Sequence, residues 1–115
     1  MKIAVIGSRS IKHADLSPFI PADAELIISG GAFGIDRIAE QYARTRGIPI
    51  KIIRPDYALH GRSAPLIRNR TIAEECDLLI AFWDGVSRGT VFTIRYARKI
   101  GKEVRLYRIQ PTDGD

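Results

Sequence analysis

Short apolar runs alternate with longer amphipathic stretches along this chain. The runs are nearly continuous rather than interleaved with polar residues, which is typical of strands buried on both faces of a parallel sheet. Turn-forming residues follow each run. The pattern predicts five strands, over residues 2–6, 25–29, 50–53, 78–82 and 103–107.

Most of the stretches between these strands have apolar residues at the spacing of a helix. After Gly34, apolar residues recur at spacings of three and four until basic residues and Gly47 signal the end of a helix. Pro65 suits the first position of a second helix, and residues 90–100 form a third. Residues 11–20 are predicted as a short helix of poor pattern, limited by two prolines.

Alternation of strands with helices predicts an α/β fold, a doubly wound parallel sheet with helices on both faces. A length of 115 residues fits one domain, residues 1–115, and an apolar fraction of 45% excludes a disordered or fibrous chain. No apolar run has the roughly 18–20 residues of a membrane span. A single cysteine suits a reducing compartment, so we expect a cytoplasmic protein with neither metal nor cofactor.

The positions of the positively charged residues along the chain indicate function better than their number does. Lys and Arg total 18 against 13 Asp and Glu, a net charge of +5, and most of these cations are Arg, which grips planar oxyanions best. The excess permits nucleic-acid binding without requiring it. Several arginines fall beside the predicted strand ends, where ligands of parallel sheets dock. They are Arg9, Arg37, Arg54, Arg62, Arg68, Arg70 and Arg88.

Two glycine-rich segments follow predicted strands and open predicted helices. Residues 29–36 hold three glycines, and residues 84–90 hold two that flank a Ser-Arg pair. Because N–H groups at a helix start favour anions, both segments predict phosphate cradles, as does the Gly-Ser-Arg-Ser of residues 7–10, with plain turns as the alternative. A side chain at Gly34 is expected to fill the space that a phosphate needs. Asp36 either contributes to this site or only favours its helix dipole.

Residues 55–63 are predicted as a long loop, leading into a helix that carries Arg68 and Asn69. Asn69 shares a helix face with the apolar Ile72 and with Cys76, so its amide should be partly buried and need partners. It either caps a backbone group or reaches a ligand. Cys76 is expected to pack as a small apolar group.

These motifs, in this order, resemble those of the SLOG superfamily, and most closely its small stand-alone branch related to YspA and YpsA. The resemblance runs from Ile3 to about Val104. It rests on Gly7-Ser8-Arg9, Ser29-Gly30-Gly31-Ala32, Gly34-Ile35-Asp36, Arg68-Asn69, Asp84-Gly85 and Ser87-Arg88-Gly89-Thr90. It implies a Rossmann-like fold that binds a nucleotide or nucleotide-derived ligand. The implied phosphate contacts are Gly7, Ser8, Arg9, Gly30, Gly31, Gly34, Asp36, Gly89 and Thr90.

Two other groups of this superfamily imply rival functions. DprA proteins share the Gly-Ser-Arg element and the first glycine-rich loop, and they bind single-stranded DNA. LOG phosphoribohydrolases resemble this chain in the second glycine-rich loop. Thr93 stands where those hydrolases have their catalytic Glu, so the resemblance does not carry their catalytic acid over to this chain.

We therefore expect a nucleotide-binding module or sensor. Four further residues complete its predicted site, namely Arg68, Asn69, Ser87 and Arg88. The alternative is a nucleotide hydrolase that uses Asp36 or Asp84 as its acid or base. A DprA-like binder of single-stranded DNA is a further alternative, although few aromatic residues are predicted near the ligand edge for base stacking.

Phe92 and Tyr96 form a second apolar stripe on the last predicted helix, nearly opposite the face suited to the sheet. An aromatic stripe facing water would be an unusual use of surface. It predicts a homodimer that packs this stripe against itself. The alternative is that a neighbouring helix or the C-terminal tail covers it.

Overall fold

A five-stranded, all-parallel sheet forms the centre of the computed structural model, which describes residues 1–110; residues 111–115 of the predicted domain lie outside this range. The strands are β1 (Lys2–Gly7), β2 (Leu26–Ser29), β3 (Ile50–Ile52), β4 (Leu78–Trp83) and β5 (Glu103–Arg108). Their order in the sheet is β3-β2-β1-β4-β5. The predicted doubly wound, Rossmann-like α/β fold is confirmed.

The helices are α1 (Ile35–Arg46), α2 (Tyr57–His60), α3 (Ala64–Glu75) and α4 (Arg88–Lys99). Glycine 47 ends α1 in the left-handed conformation that the sequence signal implies (φ +69°). The expectation of a loop over residues 55–63 is wrong, because α2 and the 3-10 turn Gly61–Ser63 occupy it. Asp56 begins α2 by accepting the Leu59 N–H at 3.0 Å. Over residues 1–110, the length and hydropathy of every helix fall short of a membrane-spanning segment.

The helix predicted at residues 11–20 is also wrong. This segment between β1 and β2 is irregular apart from a turn near its end. Its apolar side chains Ile11, Leu16 and Ile20 are nevertheless buried against the sheet. Spacings of five and four residues do not align these side chains on one helix face, so the sheet buries them without helical structure.

Helices cover both faces of the sheet and divide the core into two layers. On one face, α1 and the irregular segment pack on residues that include Val5, Ile27 and Phe82. On the other face, α3 and α4 pack on a layer that includes Ile6, and Cys76 is buried there as the predicted small apolar group. Both faces of each central strand are therefore apolar, which explains their continuous hydrophobic runs.

The switch point of the sheet lies between β1 and β4, which pair in register with Gly7 opposite Phe82. From β1 the chain proceeds outward through β2 and β3, and it then crosses to the other side for β4 and β5. The loops that leave the carboxyl ends of β1 and β4 therefore diverge and open a crevice between them. In open α/β sheets this crevice is where ligands bind.

Candidate functional site

A cavity of about 470 Å³, which we call the main cleft, opens at the carboxyl edge of the sheet at this switch point. It brings together residues that follow β1, β2 and β4 with residues of α3. Its polar lining includes Arg9, Ser10, Asp36, Arg68, Asn69, Asp84, Ser87, Thr90 and Thr93, with Gly7 and Gly89 between them. Most of the predicted ligand residues, drawn from distant parts of the chain, thus face a common space.

A second cavity of about 330 Å³, the side cleft, adjoins the main cleft and shares Arg9, Ala32 and Arg68 with it. The rest of its wall comes from the loops after β2 and β3: Gly30, Gly31, Phe33, Arg54, Pro55 and Tyr57. Two aromatic side chains of this wall, Phe33 and Tyr57, are 63% and 58% exposed. The two clefts therefore adjoin at Arg9, Ala32 and Arg68, with mainly polar groups in one and exposed aromatic rings in the other.

Arg68 is the buried cation between the two clefts. Its side chain donates to the carbonyl of Gly30 and, through Nε, to Oδ1 of Asn69 at 2.7 Å. Burial lowers the pKa of this guanidinium, and the nearby Asp36 opposes that shift. The structure shows Asn69 neither capping a backbone group nor reaching a ligand. Its carbonyl oxygen accepts the hydrogen bond from Arg68, so Asn69 orients the Arg68 guanidinium.

Asp36 lies at the start of α1 and is 7% exposed. Burial raises the pKa of its carboxyl from the ordinary 3.8 to about 6, although the Ala32 N–H, which donates to Oδ2 at 3.1 Å, and the charges of Arg68 and Arg9 oppose this. Asp36 is thus a carboxyl on the wall of the main cleft, and its pKa of about 6 suits proton transfer near neutral pH.

The raised pKa of Asp36 predicts that the protein loses stability as the pH rises from about 4 to about 6. Because the folded state holds this proton more tightly than the unfolded chain, ionisation in this window favours unfolding by about 2–3 kcal/mol. Urea unfolding across this range measures the loss. Asp36→Asn, which keeps an oxygen acceptor for Ala32, should flatten the profile between pH 4 and 6. An Asn variant with the wild-type slope would contradict the assignment.

Asp84 behaves in the opposite way. Its partial burial alone would raise the pKa, but hydrogen bonds from Val86 N–H, Ser10 Oγ, Ser87 N–H and Ser8 Oγ lower it to about 2. The Ser10 hydroxyl donates at 2.7 Å, and the Val86 and Ser87 amides donate at 2.9 Å. Asp84 is therefore ionised at neutral pH, and its oxygens accept from its own loop and from Ser10 in the loop after β1. Of the two candidate carboxylates, Asp36 alone has a pKa suited to acid/base work.

Of the phosphate cradle predicted at residues 84–90, only the start of α4 therefore keeps N–H groups that could bind an anion. Ser87 caps this helix, because its hydroxyl accepts the Thr90 N–H at 3.4 Å. The N–H groups of Arg88 and Gly89 find no acceptor within residues 1–110. A Cβ placed on Gly89 would meet Asn69 Nδ2 as its nearest neighbour, at 4.0 Å. The backbone of this first turn is thus open to the main cleft and able to receive an anion.

Three predicted ligand residues are placed differently from expectation. Ser8 is fully buried, and its hydroxyl accepts the Asp84 N–H at 3.0 Å, so it joins two loops rather than facing the cleft. Gly34 lies against the β1 loop, since a Cβ there would meet the Ser8 carbonyl at 2.5 Å; the expected phosphate space is not what this glycine preserves. Arg88 is exposed and lines a separate groove on the outer face of α4.

Two hydroxyl residues of the main cleft were not among the predicted ligand contacts: Ser10, although it belongs to the predicted cradle of residues 7–10, and Thr93. Ser10 positions Asp84, as described above. Thr93 is buried, and its Oγ1 donates to the Gly89 carbonyl at 2.8 Å. The signal for Thr93 was present, because it lies one helical turn after Gly89 and beside the inward-facing Ile94.

Comparison with known proteins gives no neighbour: no protein-family model, no curated protein and no solved structure matches this chain. The SLOG resemblance stays a prediction based on motifs. Function has to be argued from the two clefts themselves.

Proposed function

We propose that this chain is a SLOG-like nucleotide-binding module, with phosphate in the main cleft and the nucleoside in the side cleft. The observation that carries the proposal is the convergence of Arg9, Arg68 and the open first turn of α4 on one cavity at the switch point. A guanidinium and helix N–H groups that share one target favour a phosphate over a carboxylate, because phosphate has enough oxygens to accept from both.

Unpaired positive charge supports an anionic ligand. Within residues 1–110, neither Arg9 nor Arg54 lies within 4.0 Å of a carboxylate oxygen. The carboxylate of Asp84 accepts hydrogen bonds from Ser10 and from its own loop, and Asp36, with a pKa of about 6, is mostly ionised at neutral pH. The clefts therefore hold Arg9, Arg54 and Arg68 against these two carboxylates, a cationic surplus that an anionic ligand would neutralise.

The exposed aromatics of the side cleft support a nucleotide rather than a free phosphate. Phe33 and Tyr57 flank this cleft next to Arg54, and the Arg37 guanidinium lies 4.8 Å from the centre of the Phe33 ring. Large exposed aromatic faces are costly in water and are well suited to stack on a base. A base held there would leave its phosphates near Arg9, which borders both clefts.

Binding should fall when Arg9 is removed. Thermal-shift screening against inorganic phosphate, nucleoside mono-, di- and triphosphates and short oligonucleotides first selects the ligand, since binding to the folded state raises the melting temperature. By calorimetry, Arg9→Ala should then weaken this ligand about 10- to 100-fold, as expected for a lost charge-assisted hydrogen bond. Arg62→Ala is the matched control, because Arg62 is exposed and lies outside both clefts.

Three results would redirect the assignment. Unchanged affinity in Arg9→Ala would remove the phosphate from the main cleft. Preference for oligonucleotides over mononucleotides would favour the DprA-like alternative. Release of base or phosphate during the incubation would favour the hydrolase. The observation that supports a hydrolase is the position of Asp36 in the main cleft, together with its pKa of about 6.

The cytoplasmic location stays a proposal. The homodimer predicted through Phe92 and Tyr96 stays a prediction, which the cations that surround this stripe disfavour. Phe92 and Tyr96 are half-buried, because Arg70 of α3 places its guanidinium 5.9 Å from each ring centre. The Tyr96 hydroxyl donates to Glu74 at 2.5 Å. Helix α3 therefore covers part of the stripe, which is the alternative that the sequence left open.

A further inference from the structure

The outer face of α4 carries an apolar groove of about 630 Å³, separate from both clefts. We call it the α4 groove; its floor is formed by Val86, Val91, Phe92 and Tyr96. Val86 is 77% exposed. The sheet is packed by the opposite side of α4, through Ile94 and Ala97, so the fold does not require an apolar surface here. Apolar side chains gathered in one depression are a common mark of a binding surface.

Four cations surround this floor: Arg70, Arg88, Arg95 and Lys99. Within residues 1–110 none of them lies within 4.0 Å of a carboxylate oxygen, although such pairs form elsewhere, for example between Lys51 and Glu75. Glu74 lies nearby but accepts from Tyr96. Positions 88, 95 and 99 follow one face of α4 over about 16 Å of helix rise. The groove thus combines an apolar floor with four cations that outnumber the one carboxylate beside them, that of Glu74.

We propose that the α4 groove docks an acidic segment of a protein partner, with an apolar side chain of that segment seated on Val86, Val91 and Phe92. Such a segment supplies what the surface lacks: carboxylates for the rim and an apolar anchor for the floor. The length of the rim matches an amphipathic helix of about three turns.

Charge makes a second copy of this chain a poor occupant. An isologous contact through the groove would bring two sets of these four cations into one interface, and the repulsion between like charges disfavours such an association. A single-stranded nucleic acid would satisfy the rim, but the valines of the floor offer no π-face on which a base could stack. The aliphatic part of the floor therefore favours a peptide.

Selection from a random 12-residue peptide display library tests the proposal. Immobilised wild-type protein should enrich peptides with net negative charge and at least one large apolar residue. By fluorescence anisotropy, the best peptide should bind Arg95→Glu at least 10-fold more weakly, and Val86→Asp should weaken it similarly. Arg98→Glu is the matched control, since Arg98 is an exposed cation of the same helix outside the groove, and its affinity should stay within about twofold.

Each other outcome overturns the proposal. Enriched peptides without acidic residues, no enrichment at all, or equal affinity for Arg95→Glu and Arg98→Glu would remove the acidic partner. A labelled oligo-dT that binds wild type and loses affinity in Arg95→Glu would assign the groove to nucleic acid. Sedimentation of wild type as a dimer at tens of micromolar, with monomeric Val86→Asp, would assign the groove to a second copy. Arg95 lines neither cleft, so the result for Arg95→Glu is independent of the proposed function.

Discussion

Replacing Gly34 by Ala is expected to lower the free energy of unfolding by about 4 kcal/mol. Gly34 has φ +76°, and its Cβ would lie 2.5 Å from the Ser8 carbonyl oxygen and 2.7 Å from Arg9 Cα. Both contacts are with backbone. That backbone is held in place, because the Ser8 N–H donates to Phe82 and the Ser8 carbonyl accepts from Ile11. Neither the loop of Gly34 nor the loop of Ser8 can move aside without a large cost in free energy.

Gly61→Ala is the matched control, because it separates backbone strain from the clash. Gly61 has nearly the same backbone conformation as Gly34 (φ +54°, ψ −131° against φ +76°, ψ −130°), but a Cβ there would find no atom of residues 1–110 within 4 Å beyond its chain neighbours. Its loss should be about 1–3 kcal/mol, the cost of an alanine held in this strained conformation. Urea unfolding at constant m-value measures both. A Gly34→Ala variant that folds and loses no more than Gly61→Ala would show that the two loops are not in close contact.

The fold was predictable because local pattern and tertiary environment agree in it. Each central strand is apolar on both sides since helices cover both faces, and α1 carries its apolar stripe, basic last turn and terminal glycine. The prediction failed where the local sequence pattern and the tertiary environment differ. Ile11, Leu16 and Ile20 are buried by the sheet although no helical period joins them. The short α2 begins with a local Asp56 cap rather than with an apolar pattern.

The sequence predicted which loops form the candidate site, but it did not predict which groups in those loops contact one another. The glycine-rich segments do lie at the carboxyl edge of the sheet and border the clefts, since the carboxyl ends of parallel strands meet there. Which of their groups are free depends on partners remote in the chain: Ser8 and Ser10 engage Asp84, more than 70 residues away. The pKa of Asp36 likewise depends on burial, which the sequence pattern alone does not give.

The side chain of Arg68 is the second place where a single change should have a large effect. Its guanidinium is buried and supplies hydrogen bonds to Gly30 and Asn69. It also faces Asp36 across Gly30, because a Cβ on that glycine would meet Arg68 Nη1 at 2.7 Å and Asp36 Oδ2 at 2.9 Å. Removing the guanidinium therefore leaves a buried carbonyl without its donor and a buried carboxyl without its nearest compensating charge.

Arg68→Met, which keeps an unbranched side chain in the core, is expected to cost about 3–4 kcal/mol at pH 8. The cost should be smaller at pH 5, where Asp36 is protonated and does not need the charge. In Arg68→Met/Asp36→Asn the loss attributable to Arg68 should shrink at pH 8 and no longer depend on pH, because no buried carboxylate remains. Arg62→Met, an exposed arginine of the preceding turn, should stay within about 0.5 kcal/mol of wild type. Equal losses for Arg68→Met at both pH values, or additive effects in the double variant, would show that Arg68 stabilises the loops through Gly30 and Asn69 alone.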